Sequence, residues 1–136
     1  DTKEALEILE KVFYKRSEVL GELHPDTINT FLTIGTIFQK QGQYSLAESV
    51  YRCVLEKQRK ALGKEHKDTF VTLDCLSNVL ILQGHWGQAA EILKEILLHS
   101  QQQHNDHDKT LSTLDLLAFV HENASQISDA EVLVRE

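Results

Sequence analysis

The chain has no methionine, one proline, one tryptophan and two cysteines in 136 residues. Basic residues are also scarce, with 14 lysines and arginines against 21 acids and a formal charge of −7. That balance argues against non-specific binding to nucleic acid, which needs a basic face to neutralise phosphates. It argues equally against docking on anionic lipid. No apolar run approaches the roughly 18–20 residues that span a bilayer. No basic, apolar leader opens the sequence. The first residues, DTKEALEIL, read as the middle of a helix, so the chain is expected to be a piece of something longer. Cys53 and Cys75 lack zinc or redox spacing. They are expected to be free thiols in a reducing compartment, hence cytoplasmic, with a disulfide between two helices as the alternative.

Repetition is abundant. LGELHPDT at Leu20–Thr27 returns 42 residues later as LGKEHKDT at Leu62–Thr69. A worn third copy, QHNDHDKT, lies at Gln103–Thr110, one residue short of the next period. Between the copies runs a second echo: GQYSLA at Gly42–Ala47, GHWGQA at Gly84–Ala89 and SQISDA at Ser125–Ala130. A fixed period of this size predicts a stacked array of similar units rather than one closed globule. Such arrays usually work by offering a surface.

Strict two-residue alternation is absent, and helical spacing is strong. Phe31, Ile34, Gly35 and Phe38 fall on one face of a helix, and Ala47, Tyr51, Val54 and Leu55 do so on the next. Leu73, Leu76, Ser77 and Leu80, then Ala89, Leu93, Ile96 and Leu97, repeat the pattern. Leu114, Leu117, Ala118 and His121, followed by Ala130 and Val134, give it a third time. Ala5, Leu9, Val12 and Phe13 match the second helix of a unit whose first helix is missing. The spacing predicts an all-α chain of about seven helices, near 3–20, 26–40, 44–61, 68–83, 86–102, 109–123 and 127–136. The units then run 1–22, 23–64, 65–105 and 106–136, the first and last incomplete.

Small residues mark where helices meet. Gly35, Ser77 and Ala118 hold one place on each first helix, and Ala47, Ala89 and Ala130 hold one on each second helix. Short side chains there let antiparallel helices approach closely. Tyr44, Trp86 and Ile127 open the second helices and are expected to seal the corner after the tight turn. Gly42 and Gly84 suit a positive φ that ends the first helix. Ser125 replaces that glycine in the last unit, predicting a looser or differently built turn. In the long linker Gly21 and Gly63 stop a helix, and Pro25 with Asp26 begins the next.

The 42-residue period and the LGxxHPDT linker resemble a tetratricopeptide-repeat array, more narrowly that of the kinesin light chain family. Similar repeats occur in tails of STAND-class signalling ATPases and in nephrocystin-like proteins. The resemblance implies a right-handed superhelical stack of antiparallel helix pairs, with first helices lining a concave groove for extended peptides. Family members often carry paired Asn residues in an LNNLA-like stretch. Here the matching stretches read FLTIG (Phe31–Gly35), LDCLS (Leu73–Ser77) and LDLLA (Leu114–Ala118), with no Asn pair.

Under this resemblance the groove places are Asn29, Leu32, Thr33, Thr36, Gln39 and Lys40 in the first full unit. The second offers Val71, Asp74, Cys75, Asn78, Ile81 and Leu82, and the third Ser112, Asp115, Leu116, Phe119, Glu122 and Asn123. Lys40 is the one base among three acids. A ligand segment with apolar anchors and one or two Lys or Arg residues suits that lining. Alternatively the apolar members pack between neighbouring helices and the acids are simply solvated.

Chemistry finds little footing. His99, His104, Asp106, His107 and Asp108 include metal-ligand types, but His107 matches the linker residues His24 and His66. Cys75 makes no nucleophile motif, His121 sits at a core-spaced place, and GxSxG, HExxH and phosphate-cradling glycine loops are missing. The expectation is a non-enzymatic scaffold without cofactor or metal, binding a protein or peptide and neither nucleic acid nor membrane. The runner-up is the regulatory repeat tail of a signalling ATPase. Self-association through exposed array ends is a third possibility.

Overall fold

A computed structural model describes residues 2–102 and 107–135, all in helices or the short links between them. Among these residues six α-helices follow one another: α1 (Thr2–Leu20), α2 (Pro25–Lys40), α3 (Tyr44–Leu62), α4 (Lys67–Gln83), α5 (Trp86–Gln102) and α6 (His107–Arg135). Each packs chiefly on the helix before and the helix after it. The fold is the expected solenoid of antiparallel helix pairs.

Linker residues begin and end the helices. The Nδ1 atoms of His24 and His66 accept hydrogen bonds from the backbone N–H groups of Asp26 (3.2 Å) and Asp68 (3.1 Å). Each imidazole thus serves as an N-cap and satisfies a donor that the helix itself leaves free. At the other end Gly42 and Gly84 take φ near 79° and 78°. The next residue's N–H then reaches back to the carbonyls of Phe38 and Leu80 at 2.9 Å, closing a Schellman turn.

In the last unit no such turn forms. The two helices expected at 109–123 and 127–136 are continuous within α6. Ser125 stands in place of glycine and does not favour the left-handed conformation that would stop the ladder. The side chains of Ile127, Ala130 and Val134 lie outside the described ones.

The core runs along the stack. One cluster joins Ala47, Tyr51 and Leu55 of α3 to Leu73, Leu76 and Leu80 of α4, Ala89, Leu93 and Ile96 of α5, and Val120 of α6. A smaller one gathers Ile28, Val50 and Val54, and Leu32 and Phe38 touch both. Helix α4 buries residues on most of its circumference, as a helix flanked on both sides should. At Gly35 an added Cβ would come within 2.9 Å of Tyr51 and Val50. One period on, the matching places hold Ser77 and Leu93, both buried, so a small side chain goes with a smaller partner.

A polar seam built on buried threonines repeats between units. The Arg16 guanidinium donates to Thr30 Oγ1 at 2.7 Å, and Thr72 Oγ1 donates to Gln58 Oε1 at 2.6 Å. One period on, Ser100 and Thr113 are buried at the same places. Among the described residues no helix is long and apolar enough to cross a membrane.

Candidate functional site

The predicted groove residues divide by exposure. Asn29, Thr33 and Lys40 of α2, Val71 and Asn78 of α4, and Asp115, Phe119 and Glu122 of α6 are exposed. Leu32, Thr36, Asp74 and Ile81 are half-buried. Leu32 and Ile81 pack against the main core cluster, so they anchor their helices as well as edge the surface. Within each helix the exposed residues lie three, four or seven positions apart and so share a face.

These faces change character along the stack. In α2 the face is polar, and the Thr33 and Thr36 hydroxyls are spent on their own helix, donating to the Asn29 and Leu32 carbonyls at 2.9 and 3.1 Å. In α4 the large apolar residues Val71 and Leu82 are 52% and 53% exposed. In α6 Leu116 and Phe119 are exposed, the latter meeting Trp86 edge-on with ring centroids 6.0 Å apart. Asp74, Asp115 and Glu122 sit among these apolar groups, and Lys40 stands at the end of α2. Gln39 is drawn aside: its Oε1 accepts the Tyr51 hydroxyl at 2.9 Å. Burial pushes the Tyr51 phenol above its ordinary range, so it stays a neutral donor.

The other considered residues are placed as follows. Cys53 is exposed and Cys75 half-buried, and neither is in a disulfide. His99 stacks on Phe70, with ring centroids 3.7 Å apart, and faces Glu65 at 3.4 Å. The side chains of His104, Asp106, His107 and Asp108 lie outside the described ones. No group of three metal-ligating side chains forms among the described residues. His121 is exposed rather than buried.

Sequence reasoning missed two features. The Thr30, Thr72 and Thr113 seam was hidden because polar residues at helical spacing read as surface. The second is a charged cluster on α3, where Glu48 accepts from Arg52 at 2.9 Å and from Gln83 at 2.8 Å. Burial raises the Glu48 carboxyl, but the Arg52 and Gln83 bonds and the charges of Arg52 and His85 together hold it below its ordinary value.

Comparison with known proteins agrees with this geometry. The sequence model of the tetratricopeptide repeat matches residues 1–60 and again 35–97. Nearly identical TPR-like repeats of a kinesin light chain from Podosopora anserina superpose with a TM-score of 0.80 at 23% identity. A single-substitution variant of those repeats gives 0.80 at 22%, and BtubC (BKLC) from P. vanneervenii gives 0.81 at 19%. Each alignment covers 98% of this chain, but only 64%, 64% and 54% of those chains. At such identity the likeness concerns the fold. A search of curated proteins finds no match.

Proposed function

The chain belongs to the tetratricopeptide-repeat family, and on that premise we propose that it is a non-enzymatic scaffold whose first helices hold a polypeptide segment. The units are 1–22, 23–64, 65–105 and 106–136, and the module works in the cytoplasm. The segment it holds carries apolar anchors and one or two Lys or Arg residues. The observation that carries this reading is the exposure of Val71, Leu82 and Phe119 beside Asp74 and Asp115. Large apolar side chains held in water next to carboxylates suit a ligand that is apolar and basic at once.

Fluorescence anisotropy with a labelled peptide of alternating leucine and lysine tests it. Binding should weaken about tenfold or more in Asp74→Ala plus Asp115→Ala, and similarly in Val71→Ser plus Phe119→Ser. Unchanged affinity in both double variants sinks the reading.

A second reading rests on the outer helices. Ile8 of α1 is 62% exposed and Leu111 of α6 is 60% exposed, whereas their counterparts Val50 and Phe70 are buried. The first offers a second-helix face and the other a first-helix face, so two copies are complementary head to tail. Light scattering across concentrations should then show growing mass; a constant monomer mass removes this reading.

A further inference from the structure

The solvent face of α3 carries a cleft of about 470 Å³ lined by Arg52, Leu55, Glu56, Arg59, Lys60 and Lys64. Four cations and one carboxylate meet there, in a chain of formal charge −7. Helical spacing assembles them, since positions 52, 55, 56, 59 and 60 recur at threes and fours and share a face. Lys64 joins from the linker, just past the helix end at Gly63. None of these residues is a groove residue.

The cations meet local acceptors, and Arg52 also donates to Gln88 Oε1 at 2.9 Å. Arg52 pairs with Glu48 at 2.9 Å, Arg59 with Glu95 at 3.0 Å and Lys60 with Glu56 at 3.2 Å. The Lys60–Glu56 pair is exposed on both sides, and a pair of this kind is weak and exchanges readily for a better anion. Arg59 Nε is buried without a hydrogen-bond partner, and Lys64 makes no ion pair among the described residues. Donor capacity therefore exceeds what the local carboxylates use.

We propose that this cleft binds a small phosphate-bearing ligand with at least two negative charges. Two guanidinium groups present paired donors in the planar geometry that phosphate oxygens accept, and the lysines add point charges. The cleft has the size of a small-molecule site. Its floor offers a single apolar side chain, Leu55, so charge and hydrogen bonding select the ligand. The negative charge of the rest of the chain disfavours an extended polyanion such as nucleic acid. Glu48, Glu56 and Glu95 occupy the cations in its absence, and a multivalent anion displaces them.

Titration calorimetry of the full chain with pyrophosphate, at fixed ionic strength, tests the site. The expected result is saturable one-to-one binding, weakened about tenfold or more by Lys64→Gln and by Arg59→Gln, as loss of a charge-assisted hydrogen bond requires. Lys64 lies in an exposed linker, so Lys64→Gln leaves the fold intact and keeps the test decisive. Asp74→Ala plus Asp115→Ala should leave pyrophosphate binding unchanged, whatever becomes of peptide binding. Four results would overturn the proposal: no heat beyond that of chloride, affinity indifferent to both cleft variants, weakening by the groove variants, or tighter binding of a glutamate-rich peptide.

Discussion

Gly35 faces Tyr51 and Val50 so closely that a methyl group would meet both at 2.9 Å. Alanine there improves helix propensity by about 1 kcal/mol. Overpacking a buried contact costs about 1–3 kcal/mol, so the net effect of Gly35→Ala is destabilising. Adding Tyr51→Leu gives a small residue facing leucine, as Ser77 faces Leu93 in the next unit, and should recover part of the loss in urea unfolding. The Thr72 and Gln58 bond gives a second expectation. Gln58 is 1% exposed, so Thr72→Val leaves its amide oxygen buried and unmatched, at about 1–3 kcal/mol. Replacing both, with Gln58→Leu, should come close to neutral in the same assay. Gly35 was legible from sequence because its counterparts are also small. The threonine seam was not, since the residue type at the facing place changes from unit to unit: Arg16 and Gln58 as partners, and Ser100 at the equivalent position.

At the scale of helices, punctuation decides what could be read in advance. Glycines 42 and 84 end their helices with the positive φ the sequence predicts. The linker histidines start the next ones, and their part as side-chain caps emerges only when Nδ1 is seen on the Asp26 and Asp68 amides. Around Ser125 the sequence predicts a turn and the helix runs on, because weak local preference yields to an unbroken ladder. Between helices, Glu48 ties α3 to the end of α4 through Gln83. Its folded pKa is depressed, so its contribution to stability is fully present above the ordinary value of 4.5. That contribution is lost as pH falls through the lower folded value. Glu48→Gln should therefore flatten the acid side of a melting-temperature profile below about pH 4.5 and leave its slope near neutrality unchanged.

Across the whole molecule, stability should be shared between neighbours rather than pooled. Leu76, 1% exposed in the doubly flanked α4, belongs to the main cluster, whereas α1 has no buried residue. Leu76→Ala is expected to cost about 2–5 kcal/mol and lower protection from hydrogen exchange throughout α3–α5. Leu9→Ala should loosen α1 and leave α4 protected, as an array coupled through nearest neighbours requires. The array itself was legible because period and spacing are properties of sequence. The apolar drift of these faces from α2 to α6 needed exposures, for Leu32 and Leu82 are the same residue type in different surroundings.

In the proposed function the first helices carry the binding surface. Nuclear magnetic resonance with methyl-labelled protein and the leucine–lysine peptide tests it most directly. Val71, Leu82 and Leu116 should shift in proportion to bound peptide, while Val54 and Leu55 of α3 stay still. Shifts concentrated on α3 and α5, with the α4 and α6 faces unmoved, would place the peptide on the second helices instead.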